Sequence, residues 1–392
     1  MHSQHDPLAE QRLQQIQRAR TAVFDDEEGL CTSGDIGTAS GFFMRPGSEW
    51  IERSWRRCLA QGQRPQHHVA FDVVTAHSVR RTLDAQHLLL QAARPALEGL
   101  GRATASTRYF AILTDASGVV VDVSGAVDST DPRAVAIARV GVDLSERSIG
   151  TSAISAALLE RRAVWLHRGE HFYRDTSMYS CAGAPVFGPT GGCVGMLDLT
   201  GVEVVERPEL RHLVARAARN IENALTLRTP HRLLVRLNWP GQLCAGDGDG
   251  LLCLDEDGYV TGANQAARRI VSGLAADGNS LHSDELFAMP VQLLFDAARR
   301  GRSGCGTLEV PLWSGLRVQV QAQIEGPGGS RDAAGMARER GVGQAVPLKD
   351  IELAMVHQAV ADARGNVAQA ARALGISRAT VYRKLRHKQP RS

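Results

Sequence analysis

The segment Gly365–Leu385, close to the C-terminal end of the 392-residue chain, has the pattern of two short helices joined by a tight turn. Val367–Leu374 is rich in alanine, leucine and arginine, which favour helix. Gly375 can adopt the positive φ that ends a helix, and Ser377 is a favoured N-cap for the next one. The apolar positions where the two helices would pack are Ala370, Leu374, Ile376, Val381 and Leu385. The segment therefore predicts a helix-turn-helix.

The second predicted helix, Arg378–Arg386, carries polar and basic side chains on its remaining faces. A recognition helix presents such side chains to the bases and phosphates of the major groove. The predicted DNA-binding residues are Ser377, Arg378, Thr380, Tyr382, Arg383, Lys384 and Arg386. The alternative is a surface hairpin whose basic residues serve solubility. That alternative does not explain why the turn glycine, the N-cap, the apolar positions and the basic charge all fit a helix-turn-helix.

Charge is unevenly distributed along the chain. From Leu348 to Ser392 nine lysines and arginines face three acidic residues, a net charge of +6. The whole chain carries +3, so the remainder sums to −3. A basic tail on a mildly acidic body is expected of a nucleic-acid-binding module attached to another unit.

The segment Leu348–Leu385, which begins L-K-D-I-E-L and continues through the helix-turn-helix, resembles the Fis-type DNA-binding domain of bacterial enhancer-binding regulators. The resemblance implies an all-α domain over residues 348–392 that binds double-stranded DNA. It also implies a homodimer, in which the helix from about Leu348 to Ala363 helps to pair the subunits. Two recognition helices would then bind neighbouring major-groove turns of a partly palindromic site.

Residues 1–80 are expected to form an N-terminal helical region. Pro7–Val23 has a polar helical pattern, and a second helix around Trp50–Leu59 ends before Gly62. The sequence S-W-R-R-C in this helix, with a glycine and a proline after it, resembles the N-terminal region of AcoR-like regulators. In those regulators a sensory GAF domain comes next. The next apolar pattern predicts one helix over Val79–Leu100.

From Tyr109 the pattern changes to strands paired through turns. Tyr109–Leu113 and Val119–Val123 flank the turn T-D-A-S-G, and two apolar strands flank a Pro/Gly turn near residue 190. Another strand is predicted at Ala163–His167, and a long helix at Arg207–Leu227 closes the unit. Strands paired through turns and flanked by helices indicate an α+β domain built on an antiparallel sheet.

The sequence of this unit is similar to that of the GAF domain of AcoR-like regulators. The resemblance is carried by Gly150–Leu158, Glu170–Phe172, Cys181–Phe187 and Gly195–Gly201. It assigns residues 81–229 to a GAF sensory domain and implies control by a small-molecule effector in an internal pocket. The predicted pocket residues are Tyr109, Trp165, His171, Phe172, Tyr179, Cys181 and Asp198. Ser152 and Gly183 stand where the family has Asn and Ala, which leaves the identity of the ligand open.

Residues 243–325 look like a divergent PAS-type module. A strand, an Asp-Gly turn, a second strand and a helix starting at Asn264 are followed by predicted strands at Gly306–Pro311 and Leu316–Ile324. We expect this module to act as a spacer or in dimerisation. Residues 326–347 are rich in glycine, alanine and arginine, and this composition predicts a linker.

Regulators of the AcoR type carry an AAA+ ATPase between sensor and DNA-binding domain, and this chain departs from that pattern. Nowhere does it contain G-x-x-x-x-G-K-[ST], the loop that holds nucleotide phosphates. We therefore expect no ATP hydrolysis and no ATP-driven remodelling of sigma-54 polymerase by this chain alone. Activation through direct contact with RNA polymerase, repression, and competition for enhancer sites all remain compatible with the sequence.

Enzymatic alternatives rest on a few polar residues. His167–His171 matches the zinc-peptidase pattern H-x-x-E-H, but Gly169 and the preceding strand disfavour the helix that this chemistry needs. A metal-sensing site could use His167, His171, Asp175 or Cys181, although no spacing requires it. Cys181 or Cys193 could serve a GAF-type thiol reductase, although no basic neighbour is visible in the sequence to lower a thiol pKa.

We predict no catalytic residue, no metal and no cofactor. The alternatives are a thiol-dependent or metal-dependent enzyme, or a protein that pairs with a full-length sigma-54 activator without binding DNA. The seven cysteines form no C-x-x-C pair. The sequence has no apolar run of about 18 residues and no secretory signal. These features predict a cytoplasmic protein that does not enter membranes.

Overall fold

The computed structural model describes residues 7–24, 49–71, 74–242, 244, 246–274, 281–300 and 307–324, together with residues 367, 369, 371 and 378. The chain divides into two compact units, Met1–Pro327 and Gly328–Ser392. The first unit contains two five-stranded antiparallel sheets with flanking helices, which agrees with the α+β prediction.

Among the described residues, four helices precede the first sheet. They are α1 (Pro7–Phe24), α2 (Glu49–Ala60), α3 (Ala76–Ala85) and α4 (His87–Thr104). The prediction of one helix over Val79–Leu100 is wrong, because the chain turns at Gln86 between α3 and α4. Gln86 leaves the helical region at φ −104° and ψ 15°, and its N–H donates to the Thr82 carbonyl. The turn lets α4 bury an apolar face that includes Leu89 and Leu97, whereas α3 buries none of its ten residues.

The first sheet has the strand order β2-β1-β5-β4-β3, and its neighbouring strands are antiparallel. Its strands are β1 (Tyr109–Asp115), β2 (Val120–Ser124), β3 (Val164–His167), β4 (Tyr179–Phe187) and β5 (Cys193–Val202). Short helices α5 (Pro132–Ile137), α6 (Glu146–Ile149) and α7 (Ala153–Glu160) lie between β2 and β3, and the long helix α8 (Leu210–Leu227) follows β5.

Both faces of the first sheet are buried, in two separate apolar clusters. Tyr109, Ala111 and Leu113 pack on the side of α4 and α8, whereas Phe110 and Ile112 pack on the side of α2 and α7. This alternation is the two-residue period of a strand. It decides which side chains can share a cavity.

The second sheet has the order β8-β7-β6-β10-β9. Its elements are β6 (Leu233–Asn238), β7 (Gly250–Leu254), β8 (Val260–Ala263), β9 (Leu308–Pro311) and β10 (Arg317–Ile324), with helices α9 (Gln265–Ile270) and α10 (Val291–Arg300). The central strand β6 lies before residue 243, where the sequence predicts the PAS-type module to start. The predicted helix start at Asn264 is confirmed as an N-cap, because its side chain accepts a hydrogen bond from the Ala267 N–H.

The two sheets are joined by the β4–β5 turn and by α8. The Pro189 carbonyl in that turn accepts hydrogen bonds from the Ala263 N–H and from Arg268, each at 2.8 Å. On α8, the Asn223 side chain accepts a hydrogen bond from Asn264 at 2.7 Å. The hairpin β4–β5 therefore runs from the interior of the first sheet to the edge of the second.

In the second unit the described residues are helical at 367, 369, 371 and 378. Ala371 is buried, and Arg378 is exposed. The other predicted DNA-binding residues, namely Ser377, Thr380, Tyr382, Arg383, Lys384 and Arg386, lie outside the described residues, as does the predicted linker.

Candidate functional site

A small cavity lies on the α2 and α7 side of the first sheet. Four of the seven predicted pocket residues line it, namely His171, Tyr179, Cys181 and Asp198. The rest of the lining is mostly apolar and includes Phe71, Ile112, Ile137 and Leu144. The cavity volume is about 30 Å³, which is room for about two water molecules.

Asp198 is the acidic group of this cavity. It lies in β5 opposite Gly183 of β4, and it is fully buried. Its Oδ2 accepts a hydrogen bond from the Thr200 hydroxyl, whereas its Oδ1 is buried without a hydrogen-bond partner. Burial raises the pKa of the carboxyl to about 7, against the opposing effect of the Thr200 hydrogen bond. At neutral pH the group is thus divided between its acid and its carboxylate.

His171 is the second polar group with a free atom. Its Nδ1 lies 2.9 Å from the Arg168 carbonyl, and because a carbonyl can only accept, Nδ1 carries the proton. Burial lowers the pKa of the ring to about 4, so the imidazole is neutral at pH 7. Nε2 is then an acceptor, and it has no hydrogen-bond partner.

Cys181 and Tyr179 also line the cavity, and the polar atom of each side chain has a hydrogen-bond partner. The Cys181 sulfur lies 3.3 Å from the Thr200 hydroxyl, and the Tyr179 hydroxyl donates to the Arg133 carbonyl at 2.9 Å. Burial, and then the nearby Asp198, raise the pKa of the Cys181 thiol well above its usual value. Burial also raises the pKa of Cys193. A thiol kept protonated in this way is a poor nucleophile, which disfavours the thiol-reductase alternative.

The other three predicted pocket residues lie elsewhere. Tyr109 and Trp165 belong to the opposite face of the sheet, where the Tyr109 hydroxyl donates to the Val205 carbonyl and the Trp165 ring to Glu206. Phe172 packs edge-on against Phe24 of α1, with the ring centroids 5.6 Å apart.

The alternation of side chains between the two faces of a strand explains why Tyr109 lies outside the cavity. Ile112, three residues after Tyr109, lines the cavity because it lies on the other face of β1. Counting alternate positions along the predicted strand could have identified it. Phe71 comes from a distant loop, and the sequence holds no signal for its position.

Gly183 departs from the family alanine for a steric reason. A Cβ at this position would lie 2.7 Å from the Ala153 carbonyl oxygen and 2.8 Å from Met196 Cε. Ala153, at the start of α7, lines the cavity. The glycine therefore lets α7 approach β4 closely at the site.

Two arginine side chains of helix α1 hold the loop that carries His171 in place. The buried Arg20 donates hydrogen bonds to the carbonyls of Gly169, His171 and Phe172, at 2.8, 2.5 and 2.9 Å. Its pKa is lowered to about 10, mainly by burial. Arg12 of the same helix forms an ion pair with the buried Glu170. The position of the His171 ring thus depends on two arginines from the N-terminal helix.

The His167 and Glu170 side chains of the H-x-x-E-H pattern form hydrogen bonds and an ion pair that hold the structure together. His167 ends β3 with its Nδ1 2.8 Å from the Ser180 hydroxyl, and Glu170 accepts a hydrogen bond from the His167 N–H at 2.6 Å. Within the described part of the chain, no group of three or more His, Cys, Asp or Glu side chains is arranged to hold a metal ion.

Two family models match the chain. Residues 347–387 match "Bacterial regulatory protein, Fis family", and residues 43–223 match "MimR, N-terminal domain". The acetoin catabolism regulatory protein of Cupriavidus necator is 30% identical over 229 residues, or 57% of this chain and 34% of that protein. The acetoin dehydrogenase operon transcriptional activator AcoR of Bacillus subtilis is 24% identical over 208 residues, or 52% of this chain and 34% of that protein. The chain thus spans about a third of the length of these relatives.

Among solved structures, the E. coli DhaR(N)–DhaL complex is similar at 16% identity, with a TM-score of 0.43 over 71% of this chain and 100% of that one. None of the described helices is both long and apolar enough to cross a membrane. The chain is homologous to the acetoin catabolism regulators over more than half of its length, and it carries a Fis-type helix-turn-helix of bacterial regulatory proteins at residues 347–387.

Proposed function

We propose that this chain is a bacterial DNA-binding transcription regulator, in which an N-terminal sensor controls how a C-terminal helix-turn-helix occupies double-stranded DNA. The match of residues 347–387 to the Fis family carries the proposal. The exposed, helical Arg378 supports it, because this position belongs to the predicted recognition helix. The other six predicted DNA-binding residues are part of the same proposal.

The sensor in this proposal is the first sheet, taken as a GAF domain over residues 81–229, and its signal is a small-molecule effector. Support comes from the cavity, where Asp198 and His171 each keep an unpartnered polar atom in a buried, mainly apolar setting. An effector can bias the regulator only by its different affinity for two conformations. The β4–β5 hairpin offers a route for such a bias, since both strands line the cavity and their turn is bonded to the second sheet.

The second sheet is proposed as a PAS-like spacer, and the regulator as a homodimer, as paired recognition helices require. Since the sequence contains no nucleotide-binding loop, the chain would act by occupying DNA without an ATPase of its own. Contact with RNA polymerase would then come directly from the bound regulator.

The test is a DNA-binding measurement on the full chain. Genomic fragments retained by the purified protein are sequenced, and the enriched site is used in gel shifts at several salt concentrations. Arg378→Ala should weaken binding to the enriched site by about 1–3 kcal/mol, because an arginine that pairs with a base contributes about that much. Lys384→Ala should weaken binding to all sequences and reduce the salt slope by about one.

Arg299→Ala is the matched control, since Arg299 is exposed on α10 and pairs with Asp296 at 3.0 Å. Its loss should leave both specific affinity and salt slope unchanged. A protein that retains no DNA fragment, or whose affinity is the same in all three variants, contradicts the proposal. Co-purification with a full-length sigma-54 activator in place of DNA binding would favour the partner alternative.

A further inference from the structure

We infer that a cleft between helix α1 and the β3–β4 loop (residues 168–178) binds a small molecule that carries a phosphate group. The cleft has a volume of about 510 Å³, which is the size of sites that take small-molecule ligands. Its described lining has no residue in common with that of the small cavity. The inference therefore goes beyond the proposed function and adds a second ligand site beside the first sheet.

Three arginines line this cleft. Arg20 of α1 is buried, Arg168 at the start of the loop is half-buried, and Arg174 is exposed. No aspartate or glutamate is among the described residues of the lining. Burial, and then the positive charge of Arg174, lower the pKa of Arg20 to about 10. The cleft is therefore a region of positive potential, and a bound anion would relieve the repulsion within it.

Two of the three guanidinium groups are available to a ligand. Arg20 donates to three carbonyls of the loop, as described above. The side chains of Arg168 and Arg174, by contrast, form no hydrogen bond and no ion pair with the residues that the structure describes. Glu203 lies within electrostatic reach of Arg168, but it pairs with Arg133 at 2.9 Å. Arg168 and Arg174 thus keep their donors for an anion in the cleft.

The backbone that carries these two arginines is held in place. Arg168 has a φ of 48°, in the left-handed region that residues with a side chain rarely adopt, and such strain is frequent at ligand sites. Gly169 packs against α1, since a Cβ there would lie 3.1 Å from Ile16 Cγ2. The Arg174 N–H donates to the Pro65 carbonyl at 2.9 Å. Because the loop is ordered before a ligand binds, binding costs less conformational entropy.

The chemistry of the lining favours phosphate over carboxylate. A phosphate monoester carries about two negative charges at neutral pH and has three strong acceptor oxygens on one atom. It can therefore present oxygens to both Arg168 and Arg174, and arginine binds phosphate through two parallel hydrogen bonds. Gln17, Thr21 and Gln66 line the same cleft and supply neutral donors for the remaining oxygens.

The experiment measures binding to the full-length chain by isothermal titration calorimetry at low ionic strength. The probes are glycerol 3-phosphate and inorganic phosphate, with succinate as a dianion without phosphorus and glycerol as the neutral control. We expect both phosphate probes to bind, succinate to bind at least tenfold more weakly, and glycerol not to bind. Added salt should weaken phosphate binding, because the paired charges lie close to solvent.

Two arginine variants test the assignment. Arg168→Gln and Arg174→Gln should each weaken binding of glycerol 3-phosphate on the order of tenfold, since each removes charge-assisted hydrogen bonds. The double variant should bind neither phosphate probe. Neither side chain holds another described group, so without phosphate the variants should have a thermal midpoint equal to that of the natural chain or higher.

Controls separate this cleft from other basic surfaces. Arg18→Gln removes an arginine from the exposed side of the same helix, and Lys384→Gln removes a charge from the predicted recognition helix. Both variants should keep the natural affinity for glycerol 3-phosphate. The probe should also slow hydrogen exchange over residues 168–177 in the natural chain and leave it unchanged in the double variant.

The inference is overturned if neither phosphate probe binds, if succinate binds as tightly as glycerol 3-phosphate, or if Arg18→Gln weakens binding as much as Arg174→Gln. It is also overturned if the double variant keeps phosphate affinity and instead loses affinity for DNA. Retention of specific DNA fragments by the same preparation tests the proposed regulator separately.

A last outcome concerns the chain's own carboxylates. Four acidic residues, from Asp25 to Glu28, follow α1 in the sequence. Replacing them with asparagine and glutamine should leave the affinity for glycerol 3-phosphate within about threefold, because a dianion that pairs with two arginines competes well with single carboxylates. If phosphate bound only after this replacement, the cleft would serve an intramolecular contact and the inference would be wrong.

Discussion

The two sheets of the first unit each bury an aspartate, and the two groups are held in different ways. Asp249, directly before β7 of the second sheet, accepts a hydrogen bond on each carboxyl oxygen, from Asn238 at 2.9 Å and from the Gly246 N–H at 3.0 Å. Asp198 in the first sheet accepts one hydrogen bond and keeps Oδ1 unpartnered. A satisfied buried carboxyl supports a fold, whereas an unsatisfied one lowers stability and is retained for another use.

The largest expected effect comes from Asp198→Asn. The folded-state pKa of Asp198 lies near 7, above its unfolded value, so this group lowers stability as pH rises from about 4 to 7, by about 1.4 kcal/mol per unit. Below that window the penalty is absent, and above it the penalty is complete. The amide cannot ionise, so Asp198→Asn should be more stable than the natural chain by about 4 kcal/mol at pH 8 and nearly equal to it at pH 4.

Urea unfolding at pH 4, 5, 6 and 8 measures the difference. Glu222 and His171 also change stability with pH, since burial raises the pKa of Glu222 to about 7 and lowers that of His171 to about 4. These contributions occur in both chains and cancel in the comparison. Asp249→Asn is the control and should be less stable by about 1–2 kcal/mol, because one of two accepting oxygens becomes a donor. If Asp198→Asn and Asp249→Asn changed the free energy of unfolding in the same direction, the two buried aspartates would not differ in their effect on stability.

The next effect concerns Asn264, the polar centre of the second sheet. Its side chain accepts from the Leu251 and Ala267 N–H groups and donates to the Asp249 carbonyl and to Asn223, at distances of 2.7 to 2.9 Å. Asn264→Ala should therefore lower the free energy of unfolding by about 3 kcal/mol, through a lost helix cap and unsatisfied buried groups. Asn223→Ala removes one of these bonds and should cost about 1 kcal/mol. Equal losses in the two variants would show that the network does not centre on Asn264.

The sequence predicted the parts of both sheets that follow from local pattern. The Asp-Gly turn and the Asn264 cap are encoded within a few residues, and the structure confirms both elements. Tyr179, Cys181 and Asp198 line the cavity because they lie on the same face of the sheet, and His171 lies in the loop after β3. The prediction of Tyr109 as a pocket residue differs from the structure because its side chain lies on the opposite face of β1.

Long-range contacts could not be predicted in this way. The central position of β6 depends on pairing with β10, about eighty residues later, and no local pattern specifies that partner. Arg20 reaches carbonyls about 150 residues away, and in sequence it is one of several arginines on a polar helix. The two unpartnered atoms of the cavity are likewise a property of the packed structure.

A smaller effect should follow from Arg20→Lys. The first sheet relies on α1 to hold the His171 loop, whereas Asn264 holds the second sheet from within. An ammonium cannot reproduce the fork that binds three carbonyls, so we expect a loss of about 2 kcal/mol and faster hydrogen exchange over residues 168–172. Arg18→Lys, on the exposed side of the same helix, should change neither quantity. Unchanged exchange in Arg20→Lys would mean that the loop is held by other contacts.

The smallest expected effect compares two close approaches at glycine. A Cβ on Gly183 would lie 2.7 Å from the Ala153 carbonyl, and one on Gly250 would lie 2.5 Å from Leu237 Cδ1 and 2.9 Å from Ala267 Cα. Each alanine variant should lose about 1–2 kcal/mol, as overpacking does. Only Gly183→Ala should also alter the pH dependence of unfolding, since it displaces Ala153 in the cavity lining opposite Asp198. If Gly250→Ala changed that dependence equally, the ionisation of Asp198 would be coupled to the second sheet, and the two sheets would respond to an effector as one body.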